Sequence, residues 1–350
     1  MLFRSQLERF AGAVHVPIGY LFLPEPPQES LPIPDFRTVS DRSITRLNVN
    51  LLDTIYLCQE RQAWYRDYAR LHGFTPIDFI GKAKLSDAPT EAAKAISTRI
   101  NLSMDERSRL PSWAEALRRL MAKVEGLGVL VMASSIVGGN AHRKLKVSEF
   151  RGFALVDDLA PLIFINAADS KAAQMFTLAH ELAHLWLDES GVSDAEVGKG
   201  PEHLSAGQAG EIELWCNAVA AELLMPMQAT RAAYRPDAPL TDEIQRLAKR
   251  FKVSTLVVLR RLFDAGFLNK ATFWQNYDQE SERITNLDRG RSGGGNFYHT
   301  LKARNGERFA RALIASTLEG QTLFQDAFRL LRVKKSATFY RAAQELGVMG

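Results

Sequence analysis

The stretch Phe176-Thr-Leu-Ala-His180-Glu181-Leu-Ala-His184-Leu-Trp-Leu187 decides how the rest of the chain is read. Neither Pro nor Gly occurs from Lys171 to Ser190, and most of these residues are good helix formers, so the composition predicts a helix. On a helix, positions four apart stand one turn apart on one face. His180 and His184 can therefore reach a single ion, and two neutral imidazoles at that spacing suit Zn²⁺. Glu181 leaves the helix about 100° from His180. It is placed to act as general base toward a zinc-activated water rather than as a ligand. The plainer alternative is two histidines on a core helix by chance, since Leu178, Ala179, Leu182, Ala183, Leu185 and Trp186 are apolar in any case. A glutamate between them would be costly to bury without a task, and this favours the metal.

A catalytic zinc usually has three protein ligands and one open position. The downstream candidates are Asp188, Glu189, Asp194, Glu196, His203, Glu211, Glu213 and Glu222. The next apolar helix runs from Gly210 to Pro226 and places Glu213, Asn217, Ala220 and Leu224 along one face. That face joins a carboxylate to an amide one turn on and then to small or apolar residues, so the helix can pack closely beneath a metal. Glu213 is the expected third ligand, with Glu211 and His203 as alternatives. Asn217 is expected to hydrogen-bond a ligand histidine and fix its tautomer.

The strings Phe176-Thr-Leu-Ala-His-Glu-Leu-Ala-His184 and Glu213-x-x-Cys-Asn-x-x-Ala-Ala-Glu-Leu-Leu-Met-Pro226 resemble the ImmA/IrrE family of metallopeptidases, over about residues 125 to 226. The resemblance implies an α+β fold with a minimal thermolysin-like zincin (gluzincin) core, a short sheet plus the His-Glu-x-x-His helix. It implies His180, His184 and Glu213 as zinc ligands and Glu181 as general base. It also implies a zinc endopeptidase whose protein substrate is repressor-like. Cys216 departs from the family, where many members carry Ala, and Asn217 stands where the thermolysin-type helix has Asp. Some relatives bind DNA or act as paired regulators. The alternative is thus a DNA- or toxin-binding regulator, the antitoxin of a toxin–antitoxin pair, built on a zincin scaffold.

Five segments are expected. Residues 1–37 read as the end of a Cro/repressor-type helix-turn-helix domain, without its scanning and recognition helices, and a Pro-rich linker. Residues 38–109 are mainly helical. Residues 110–228 form the peptidase core, opened by Ser112 with Glu115 as a capping box. Its expected strands are Gly128–Met132, Arg151–Val156 and Leu162–Asn166, and an edge strand would hold an extended substrate by backbone pairing. Residues 229–270 resemble a helix-turn-helix, capped by Thr241 or Asp242 and then by Ser254, with Arg260 and Arg261 toward phosphate; a packing hairpin is the alternative. Residues 271–350 read as a helical tail containing the Gly-rich run Arg289–Tyr298, which lacks the strand–Gly-Lys–helix context of a nucleotide loop.

Composition sets the outer bounds. The chain has 350 residues, 46% hydrophobic and 24% charged, as expected of a globular protein with more than one core. No apolar run is long enough to cross a membrane, and no signal-peptide pattern opens the chain. Two cysteines, Cys58 and Cys216, argue for a reducing cytoplasm and against a disulfide framework. A net charge of +4 permits contact with DNA without requiring it.

Overall fold

The computed structural model describes residues 4–14, 18–25, 31–35, 48–193, 207–288 and 297–349. The ligand candidates Asp194, Glu196 and His203 and the glycines of the 289–296 run lie outside them. Helix α1 (Arg4–Val14) and a 3-10 turn (Ile18–Phe22) precede the long α2 (Val49–Leu71), α3 (Pro89–Arg99), α4 (Met104–Arg109) and α5 (Trp113–Gly126). Strands β1 (Leu130–Ser134), β2 (Gly152–Leu155) and β3 (Leu162–Asn166) lead into α6 (Lys171–Leu187). After β4 (Gly191–Ser193) come α7 (Gln208–Leu224), α8 (Met227–Ala233), α9 (Leu240–Phe251) and α10 (Thr255–Asp264). The chain ends in α11 (Lys270–Asp288), α12 (Phe297–Asn305), α13 (Glu307–Leu318), α14 (Phe324–Leu331) and α15 (Ser336–Glu345). The fold is α+β. Among the described residues no helix is long and apolar enough to cross a membrane.

The four strands form one mixed sheet in the order β1-β3-β2-β4. β1 runs parallel to β3, and β2 runs antiparallel to both β3 and β4. Every strand residue is buried, which explains the unbroken apolar runs in β1 and β3. Strand alternation divides the molecule into two cores. Val131, Ala133, Ala154, Ile163 and Ile165 face a core shared with α3, α5, α6, α7, α9 and α10. Leu130, Met132, Phe153, Leu155, Leu162 and Phe164 face a second core made by α2, α13, α14 and α15. α2 of the 38–109 segment and α13–α15 of the 271–350 segment thus meet as one layer over this face of the sheet, and the tail supplies much of its core.

Arg61, 1% exposed, fastens that layer. Its guanidinium donates to Leu330 O from Nε (3.1 Å) and Nη2 (2.9 Å), to Arg304 O (3.2 Å) and to the Asn305 amide oxygen. These carbonyls end α12 and α14, where the negative ends of the helix dipoles offset a buried cation.

Local signals account for the placement of the peptidase half. Ser112 Oγ accepts from Glu115 N (3.1 Å), and Ser170 Oγ from Ala173 N (3.2 Å), starting α5 and α6. The cap of α9 is Pro239, two residues before Thr241 and three before Asp242, and it makes no side-chain cap bond. Ser254 caps α10 through Val257 N (3.2 Å). In α10, Arg261 is buried and donates to Met225 O (2.9 Å) and to Glu222, while Arg260 pairs with Asp264 (2.9 Å). The hairpin therefore turns one of its two arginines inward, as a packing unit does. Both sheet edges are engaged. α12 packs along β1, and Val192 N of β4 donates to Pro34 O (2.9 Å). The edge expected to lie open for an extended substrate is met by the chain itself.

Candidate metal centre

Helix α6 is buried along nearly its whole length, and its two histidines meet Glu213 of α7. His180 and His184 bring their Nε2 atoms within 3.0 Å of each other. Glu213, one turn into α7, places Oε1 3.1 Å from His184 Nε2 and Oε2 3.3 Å from His180 Nε2. A tetrahedral ion with bonds of about 2.1 Å would set its ligand atoms about 3.4 Å apart. The three donors are therefore already near the spacing of one metal, and they are the group among the described residues able to hold one. Their relative exposures are 0%, 1% and 2%. Three convergent, buried donors from two helices fit a zinc ion in donor chemistry and geometry.

The other third-ligand candidates fall away by position. Asp188 caps the end of α6 in a left-handed conformation and is exposed, as is Glu211. Glu222 is bound to Arg261 and to Met227 N. Cys216 is buried beside the carboxylates, and burial pushes its thiol well above the ordinary range, so it stays a thiol. Tyr234, which ends α8, stacks on Phe267 with ring centroids 4.3 Å apart.

The charges of the cluster set its protonation. Burial disfavours a charged His180, but the Glu213 carboxylate, its hydrogen bond and the charge of Glu181 outweigh burial and hold His180 above the ordinary histidine range. At His184 burial wins over Glu213 and the ring is pulled down. Burial would raise Glu213, yet the two imidazoles reverse this and keep it ionised. Asn217 adds to the basicity of His180, although neither Asn217 Oδ1 nor His180 Nδ1 completes a hydrogen bond.

Glu181 is fully buried, and burial, opposed by His180 and by Ser193, pushes its carboxyl up to about 8. The Ser193 hydroxyl, from β4, donates to Glu181 Oε1. Glu181 Oε2 is buried without a hydrogen-bond partner. On β2, Gly152, the register partner of Ser193, comes so close that a Cβ there would lie 2.8 Å from Glu181 Oε1 and 2.6 Å from Thr177 Cγ2. Gly152 is thus required for the sheet to lie against the glutamate. Neither Ser193 nor Gly152 stood out in the sequence. A glycine opening an apolar strand was the one signal, because glycine inside a strand marks close approach.

Comparison with known families agrees with this geometry. Residues 124–263 match the IrrE N-terminal-like domain, a peptidase family designated M78. The match runs past Pro226 and takes in the α9–α10 hairpin. Residues 305–345, from the end of α12 to α15, match a domain of unknown function. No curated protein matches the chain. Residues 124–263, which contain the His-Glu-x-x-His helix, its sheet and the Glu213 helix, thus form a domain of the IrrE-like (ImmA/IrrE) peptidase family.

Proposed function

We propose that the protein is a zinc endopeptidase that cleaves a regulatory, repressor-like protein in the cytoplasm. The observation that carries this reading is the convergence of His180, His184 and Glu213 within one metal's reach, with Glu181 beside them on α6. His180 and His184 hold the ion through Nε2 and Glu213 through its carboxylate. When bound, zinc supplies Lewis-acid polarisation of the scissile carbonyl and lowers the pKa of water. Glu181 takes the proton from the attacking water on Oε2, the oxygen without a partner, and passes it to the departing amine. Ser193, bonded to Oε1, fixes the direction of that carboxylate. Burial makes Glu181 a stronger base than an exposed glutamate. Two buried free cysteines agree with a reducing compartment.

The test is co-expression with the product of the neighbouring gene, comparing wild type with Glu181→Gln. Cleavage should fall by about 10²-fold or more, the usual contribution of a general base, while zinc content is unchanged. Full biological activity in Glu181→Gln would remove peptide hydrolysis from the function. It would put in its place the reading of a DNA- or toxin-binding regulator that uses the zincin as scaffold.

A further inference from the structure

A cavity of about 590 Å³ opens between α2, the loop after β1 and the end of α14, lined among others by Asp53, Tyr56, Glu60, Gly138, Arg143 and Arg332. Its acids are already matched: Asp53 pairs with Arg143 (2.7 Å) and Glu60 with Arg329. Two arginines at its Gly138 end are not: Arg332, on the lining, and Arg304, which stands behind the lining against Gly139. Arg332 ends α14 in a left-handed conformation (φ 56°) and is exposed, and its side chain has no ion pair among the described residues. Arg304, only 8% exposed, makes a single long hydrogen bond to Leu331 O (3.4 Å) and leaves Nε with none. Burial first, and then the charge of Arg332, disfavour the charged form of Arg304. Arg61 differs, because backbone carbonyls and an amide oxygen take up its guanidinium.

The turn Val137–Asn140 sits directly against both unmatched guanidiniums. A Cβ on Gly138 would lie 3.5 Å from Arg332 Nε, and one on Gly139 would lie 2.6 Å from Arg304 Nη1. Both glycines have positive φ, 53° and 82°, so the turn demands glycine for its backbone as well as for this contact. Two neighbouring cations, one of them buried, with no carboxylate between them are unfavourable unless an anion joins them. A phosphate group carries the charge and the oxygens that guanidinium forks match best.

We propose that this cavity binds a small phosphate-bearing molecule, with its phosphoryl oxygens between Arg304 and Arg332 at the Gly138–Gly139 turn. The volume lies within the roughly 300–1,000 Å³ of small-molecule sites. Tyr56, 47% exposed, lends a ring to the wall on which a base can stack. A nucleic-acid strand asks instead for cations tracking along a surface, and Asp53 and Glu60 interrupt such a track here. The site joins the loop after β1, inside the peptidase domain, to α12 and α14 of the C-terminal layer. A bound phosphate therefore ties the two together.

The experiment is calorimetric titration and thermal unfolding of the full, zinc-loaded chain with inorganic phosphate and with AMP, against sodium chloride at matched ionic strength. At least one of the two should bind saturably and raise Tm. Arg332→Gln, at an exposed position, should melt where wild type melts without ligand and bind about tenfold more weakly or worse, as expected from losing a hydrogen bond to a charged group. Arg332→Lys should lie between them, since it keeps the charge and loses the fork. Tyr56→Ala separates the two ligand sources: weaker AMP with unchanged phosphate places a base on Tyr56, and equal retention assigns the site to the phosphate group. Absence of saturable binding, or binding undiminished in Arg332→Gln, overturns the proposal. So does binding confined to a single-stranded oligonucleotide and lost in Arg332→Gln, which would make the arginines a nucleic-acid surface.

Discussion

The α6–α7 and α9–α10 helix pairs pack on the same core, and both bury charge, but they settle it differently. In α9–α10 each charge has its counterpart within the chain. Arg261 meets Glu222 and Met225 O, and Glu243 accepts from Arg246 (2.6 and 2.7 Å) and from Arg235 N (3.0 Å). These are ties between elements. In α6–α7 two glutamates lie beside two imidazoles, and among the described residues neither carboxyl is paired with a lysine or arginine. Without a cationic side chain beside them these groups share protons, held by His180 and Glu181, and a divalent cation is what would take the place of those protons. A buried polar group completed by a partner within the protein holds the fold together, whereas a convergent set of donors left without one points to a ligand.

The largest expected effect breaks the metal side of this comparison. Glu213→Ala leaves two histidines, too few for a stable zinc site. Zinc content after dialysis should fall from stoichiometric to near zero, and cleavage should go with it. Retention of full zinc by Glu213→Ala would show that another residue, with His203 as first choice, completes the site. The matching change on the other pair is Arg261→Ala, which strands Glu222 in a mostly buried position. Breaking such a pair costs about 3–5 kcal/mol, so urea unfolding should shift by that amount with zinc affinity unchanged. Unchanged stability together with lost DNA binding would instead restore the outward, phosphate-facing reading of α10.

What was legible in the sequence follows the same division. A metal pair needs fixed spacing on one helix face, so His180 and His184 could be read from α6 alone, whereas Glu213, on α7, was one of several carboxylates until the fold brought it to them. The runs Leu130–Ser134 and Leu162–Asn166 were legible because a sheet buried on both faces is apolar throughout. β4 was not, since Gly191-Val-Ser193 is too short for a pattern and exists only through pairing with β2. Ser193 was missed with it. The α9–α10 spacing resembled a helix-turn-helix because a packing hairpin and a DNA-reading one share it, and only burial separates them. The C-terminal helices showed apolar faces, but no periodicity states what those faces cover.

Glu125 sharpens the comparison with a third way of settling buried charge, which is to hold a proton. It lies between α5 and α13, accepts from Arg308 N (3.1 Å), and burial raises its carboxyl to about 7. From pH 4.5 to about 7 the folded chain keeps this proton while the unfolded chain has released it. Stability from this group is therefore greatest below pH 4.5, falls as pH rises and levels off above 7, a span of at most about 3 kcal/mol. Subtracting the unfolding profile of Glu125→Gln from that of wild type should isolate this slope. A difference that is flat or rises with pH would show Glu125 ionised throughout in the folded protein.

The smallest effect concerns how well α7 supports its own metal site. Asn217 stands one turn after Glu213 and strengthens the basicity of His180, but as a neutral amide it does so less than a carboxylate would. Both Asn217 Oδ1 and His180 Nδ1 lack a completed hydrogen bond, so the two are placed to bond to each other once His180 is held at Nε2 with its proton on Nδ1. Losing such a partner typically costs 10- to 100-fold in metal affinity, and because the amide is the weaker partner, Asn217→Ala should sit near tenfold. Asn217→Asp should bind zinc at least as tightly as wild type, since it offers a full negative charge to the same ring. Competition with a chelator of known affinity measures both variants on one scale. If Asn217→Ala equals wild type while Glu213→Ala loses the metal, α7 contributes a ligand and no orienting bond, and the His180 ring is held by packing in α6 alone.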